Sequence, residues 1–173
     1  PDGRAGTVAY IVDLLTKAQD DPAYMPFIDS TGLIMGFGYD DAELDRYPLA
    51  ADLDKVSKDK AVIIIHTSGH LSVVNSKAMA LFGINAATED PQGGLIRRKP
   101  GTKEPNGVLE ENAHFGVLFG LMGKFDDELQ DNMLAAGQKL YARYGYTTVQ
   151  EGRASEQAYA TLARAAASNK LLL

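Results

Sequence analysis

The feature that most constrains this chain is the stretch AVIIIHTSGHLSVVNSKAMAL at residues 61–81. Val62, Ile63, Ile64 and Ile65 are β-branched without interruption, which suits a buried strand and disfavours a helix. The run ends in His66 and His70, with the turn-forming Thr67, Ser68 and Gly69 between them. Asn75 or Ser76 can then cap a helix over residues 77–82, and Gly83 is placed to end it. A strand, a polar turn and a helix start present side chains at the rim of a sheet. Two of the chain's three histidines sit in this turn, so chemistry is sought here first.

The flanking sequence reads as helices and strands in succession. Residues 7–18 place Val8, Ile11, Val12 and Leu15 on one helical face, and Asp20-Asp21-Pro22 ends that helix. Residues 32–39, GLIMGFGY, form a strand whose glycines let another element come close. Asp40 and Asp41 follow at once, either as functional carboxylates or as caps of the next turn. Residues 49–56 read as a short helix. Residues 95–99 and 108–110 are short strands separated by Pro-Gly and Pro-Asn-Gly, which predicts a β-hairpin at about 93–111. Residues 115–122 are helical in pattern but loosened by glycine, and Asp126-Asp127 caps a long helix over 128–144. Residues 147–150 are predicted as a strand, and Ser155 opens an alanine-rich helix to residue 168. The apolar residues 171–173 resemble the entry to another strand. Helix, strand, helix is the rhythm of an α/β unit. The expected fold class is α/β, with mixed α+β character within this chain.

Composition narrows the function. The 173 residues suffice for a core, and a formal net charge of −6 with one small basic cluster, Arg97-Arg98-Lys99, argues against nucleic-acid binding. With no cysteine, thiolate nucleophiles and cysteine-ligated zinc are excluded, and the chain fits a reducing compartment, so a cytoplasmic location is expected. No apolar run approaches the roughly 20 residues of a membrane span. The start at PDGRAG, without methionine, and the apolar end suggest an excised piece of a longer protein.

Each candidate residue carries a plain alternative. His66 and His70 have the spacing that pairs imidazoles on one helical face for zinc, but Thr-Ser-Gly between them is poor helix sequence, which weighs against metal ligation. His70 is read either as a substrate contact or as a structural histidine. Ser68 beside it lacks an acidic orienter for a nucleophile–base pair. Asn75 is a substrate-binding candidate or a helix cap. Glu151, at the expected C-terminal end of a strand, is a substrate-side group or a turn carboxylate. His114 is read as structural, and Glu110-Glu111 as caps of the following helix. No complete catalytic set is present.

Four motifs in this order carry a resemblance: GFGYDDAEL (36–44), HTSGHLSVVNSKAMALFGI (66–84), DPQGGLIRRKPGTKEPNGVLEE (90–111) and YGYTTVQEG (144–152). Together they resemble the metal-dependent amidohydrolase superfamily, in the branch of N-substituted formamide deformylase (amidohydrolase family 3). The resemblance implies a parent enzyme with a (β/α)8 barrel and a divalent metal, zinc by expectation. It would hydrolyse the C–N bond of a small amide or formamide-type substrate. The chain would then be an internal fragment: residues 1–45 and 126–173 as partial barrel, and 46–125 as a lid-like insertion carrying His70 toward substrate. The His-x-His metal motif of that family does not occur in this sequence. No metal site is therefore expected in this chain, and alone it is expected to be inactive, with exposed barrel edges that favour self-association. The alternative is a free-standing, non-catalytic binding or structural domain derived from that family.

Overall fold

The run at residues 61–66 forms the most buried strand of a five-stranded sheet. In the computed structural model, residues 6–152 and 154–173 are described; residues 1–5 of the expected first segment lie outside them. The chain divides into two units, one up to Met122 and one from Gly123.

The first unit begins with helices α1 (Val8–Ala18) and α2 (Met25–Thr31). Thr7 caps α1 by accepting from the Tyr10 N–H at 3.1 Å, and Gly32 ends α2 in the left-handed conformation that glycine adopts freely. Strand β1 (Leu33–Tyr39) follows, then a 3-10 turn at Asp41–Glu43 and the short helix α3 (Ala50–Leu53). Strands β2 (Ala61–His66) and β3 (Leu71–Val74), helix α4 (Ser76–Leu81), strands β4 (Gly94–Arg98) and β5 (Pro105–Glu111), and helix α5 (Asn112–Met122) complete it.

The sheet order is β1-β2-β3-β5-β4. Strand β1 runs parallel to β2, and the remaining neighbours are antiparallel. The sheet therefore crosses the boundary expected at residue 45, since β1 lies before it and β2 after it. The predicted hairpin is present as β4 and β5, whereas β3 and α2 were not anticipated. Strand β3 is only four residues long and continues directly from the polar turn, which hides it in the sequence.

Register explains the core. Ile64 lies opposite Gly36 and Val73, and Val73 opposite Val108, so one row crosses four strands. Leu15, Ile28 and Leu53, one from each of α1, α2 and α3, join this cluster. A Cβ at Gly36 would stand 3.2 Å from Leu15 and 3.3 Å from Ile64, so glycine leaves the space in which α1 seats. Ile63, Ile65, Val74 and Leu109 alternate to the opposite face and are also buried.

The second unit holds α6 (Asp127–Arg143) and α7 (Glu156–Ala167), capped by Asp126 and Ser155 as anticipated. Residues 147–150 and 171–173, predicted as strands, are irregular here. A strand exists only through ladder pairing, and among the described residues none pairs with them.

Gly107 gives a test of the packing. It has φ +97°, and a Cβ there would meet the Val74 carbonyl oxygen at 2.6 Å and the Ala50 backbone nitrogen at 2.8 Å. Gly107→Ala should therefore cost about 3 kcal/mol or more in urea unfolding. A variant with unchanged stability would contradict this packing.

Candidate functional site

The parallel pairing brings the C-terminal ends of β1 and β2 to one edge, with Tyr39 opposite His66. Asp40 turns the chain there by accepting from the Ala42 N–H at 3.0 Å. His66 Nε2 lies 3.2 Å from Asp41 Oδ1 and 3.8 Å from Asp40 Oδ1. On its other side, Nδ1 accepts the Ser68 backbone N–H at 3.1 Å and is 2.8 Å from Ser68 Oγ. A backbone N–H can only donate, so the neutral ring carries its proton on Nε2, facing Asp41.

The Tyr39 ring stands edge-on to His66 at 5.2 Å, with Tyr47 beyond it at 6.5 Å. Arg97, hydrogen-bonded to Glu110, lies over the Tyr47 ring at 5.7 Å. The Tyr39 and Tyr47 hydroxyls are buried near one another without completing a hydrogen bond, and burial above all pushes both phenols up.

Across the turn, His70 faces a different partner. Its Nδ1 is 2.9 Å from Glu111 Oε2, and its carbonyl accepts the Glu111 N–H at 2.9 Å. Because a carboxylate only accepts, the neutral ring carries its proton on Nδ1, which leaves Nε2 its lone pair. Phe115 stands edge-on to the His70 ring at 5.7 Å and stacks on Phe119, also at 5.7 Å. Next to Phe115, His114 is fully buried, with no hydrogen bond to either ring nitrogen. Burial holds its imidazole below the ordinary value, with His70 adding to that effect, while the nearby Gly69 backbone and Glu111 oppose it.

The two histidines of the turn are thus directed to separate partners. Asn75 caps α4 from a fully buried position: Oδ1 accepts from Ala78 and Val62 N–H at 2.9 and 3.0 Å, and Nδ2 donates to the Ser57 and Lys60 carbonyls at 2.8 and 3.0 Å. All of its polar capacity is committed to backbone, so it offers nothing to a ligand. Glu151 is exposed in the irregular segment of the second unit, not at the end of a strand. Glu111, Phe115 and Phe119 were not picked out by sequence reasoning. The signal for Glu111 was its place between a predicted strand and a helix start, where a cap explained it adequately.

The fold has counterparts among hydrolases of known structure. An uncharacterized metal-dependent hydrolase from Pyrococcus furiosus superposes with a TM-score of 0.64 and 20% identity, over 96% of this chain and 31% of that one. The sequence profile of the amidohydrolase family matches residues 2–173, and the chain belongs to that family. It is 34% identical over 102 residues to Protein LONG AFTER FAR-RED 3 of Arabidopsis thaliana, covering 59% of this chain and 17% of that protein. It is 40% identical over 68 residues to the N-substituted formamide deformylase of Arthrobacter pascens, covering 39% of this chain and 12% of that protein. The chain therefore spans less than a fifth of the length of these curated relatives.

The fold's metal-dependent relatives raise the question of a metal here. Among the described residues, Asp40, Asp41 and His66 form the one group with three ligand-type atoms within 4.8 Å of one another. A metal on His66 Nε2 would move the ring proton to Nδ1, where the Ser68 hydroxyl 2.8 Å away would accept it. The trio thus offers one imidazole nitrogen and two carboxylates, the donor types a divalent metal takes.

Asn75→Ala should lower unfolding free energy by about 3 kcal/mol, since it removes a cap and strands several buried backbone groups. A loss below about 1 kcal/mol would show those bonds to be dispensable. His114 sets an acid limb. Its depressed value means that the unfolded chain takes up a proton at higher pH than the folded one. Stability is therefore complete above about pH 6.5 and falls as pH drops below it. His114→Leu should flatten this limb between about pH 6.5 and pH 5 in urea titrations. An unchanged slope would remove His114 as its source.

Proposed function

We propose that this chain is a segment of a metal-dependent amidohydrolase that hydrolyses the C–N bond of a small, non-peptide amide or formamide-type substrate. In this reading, the segments 1–45 and 126–173 belong to the barrel, residues 46–125 to a lid-like insertion, and the metal is held by other parts of the parent. His70 is the residue of this chain that meets substrate.

The observation that carries the reading is the His70 surround. Its side chain is 56% exposed, Nδ1 is occupied by Glu111, and Nε2 is left to accept a hydrogen bond beside the Phe115–Phe119 stack. An amide N–H is a matching donor, and an aromatic flank suits an apolar substituent on it. The similarity to the N-substituted formamide deformylase of Arthrobacter pascens supports that substrate class. Apolar side chains of α6, Met133, Leu140 and Tyr141, remain exposed, as a helix would be whose neighbours lie elsewhere in a larger barrel. Strands β1 and β4 are the sheet edges, which favour self-association of the isolated chain.

The test compares the isolated chain with the longer protein, using N-substituted formamides and added zinc. The chain alone should release no product, whereas the longer protein should turn over. His70→Ala in the longer protein should raise KM about tenfold, the size of one hydrogen bond to substrate, with a smaller effect on kcat. Turnover by the isolated chain would refute the fragment reading, and unchanged kinetics in the variant would remove His70 from substrate. A longer protein that binds formamides without hydrolysing them would indicate a non-catalytic binding domain.

A further inference from the structure

The His70–Glu111 pair is joined twice, through main chain and side chain, and it is kept at a backbone cost. Glu111 has φ +50°, in the left-handed region that glycine and asparagine enter readily and glutamate seldom does. A glutamate that only closed β5 or preceded α5 would gain nothing from this conformation. Residues held in such regions persist where the surroundings over-determine them, and they concentrate at functional sites. Here the left-handed step accompanies a carboxylate turned onto His70 Nδ1 at 2.9 Å, while the Glu111 N–H holds the His70 carbonyl at 2.9 Å. The imidazole is thereby fixed in place and in tautomer. His66, four residues earlier, is fixed in the opposite tautomer by the Ser68 N–H.

We propose that Glu111 is a positioning residue: it fixes His70 as the Nδ1–H tautomer and so presents Nε2 as an acceptor for the N–H of an amide-type substrate. This rests on the reading of His70 as the substrate contact. The effect is that of a carboxylate behind an imidazole generally, which selects the tautomer and orients the ring.

The test uses the 173-residue chain and needs neither substrate nor turnover, so its failure is separable from failure of the amidohydrolase reading. Long-range proton–nitrogen correlation spectra report which ring nitrogen carries the proton, at a pH above the range in which imidazoles are charged. His70→Gln assigns the signals. Wild type should show His66 protonated on Nε2 and His70 on Nδ1. In Glu111→Gln, whose amide can both donate and accept, His70 should lose its Nδ1–H signature and become a mixture, with His66 unchanged. Glu111→Gly should lose that signature as well and unfold at an equal or higher temperature, because glycine relieves the left-handed strain. A wild-type His70 protonated on Nε2, or a tautomer that survives both substitutions, overturns the proposal. A Glu111→Gly variant that melts well below wild type would assign Glu111 to holding the fold and would also overturn it.

Discussion

The parallel pairing of β1 with β2 is the constraint on which the first unit depends. Leu33 stands opposite Ala61 and Phe37 opposite Ile65, so both strands end on the same edge. Parallel neighbours require a crossover, and residues 40–60 supply one through the 3-10 turn and α3. Arg46 clamps that crossover with two bonds to Asp52, at 2.7 and 2.6 Å, and holds the Asp52 carboxyl below the usual range. The meeting of Asp40, Asp41 and His66 is a consequence of strand direction. An antiparallel pair would have carried those carboxylates to the far end of β2.

The rim also shows how partners, and not residue type, assign roles. His66 and His70 are chemically identical and four residues apart, yet a backbone donor behind one and a carboxylate behind the other leave opposite nitrogens protonated. His66 ends with Nε2 facing the Asp40 and Asp41 carboxylates. His70 ends with an unused lone pair next to an aromatic stack. His114, next to Phe115 on α5, has no hydrogen bond to its ring nitrogens among the described residues, and burial holds its imidazole below the ordinary value.

Much of the chain was legible in the sequence where its signals are local. The β-branched run 62–65, the Asn75 cap, the glycine-punctuated hairpin and the Asp126 and Ser155 caps each depend on residues close in sequence. The amidohydrolase family was legible too, from motifs spread across the chain. Long-range facts were not legible: that β3 exists depends on β5 to receive it, and that residues 147–150 are irregular follows from the lack of a pairing strand among the described residues. Glu111 was hidden for the same reason. Its carboxylate reaches His70 across 41 positions of sequence, while a cap role was available next door.

The Thr67-Ser68-Gly69 turn has a consequence for how this region can change over time. Gly69 has φ +73°, and the turn is closed by the Gly69 N–H on the His66 carbonyl at 2.9 Å. Side chains alternate across a sheet with a period of two, so one residue gained or lost here would exchange the faces of β3. Val73 would leave its row between Ile64 and Val108, and His70 would lose its place opposite Glu111. Sequence drift in this loop is thereby confined to replacements at constant length, with the core acting as the ruler.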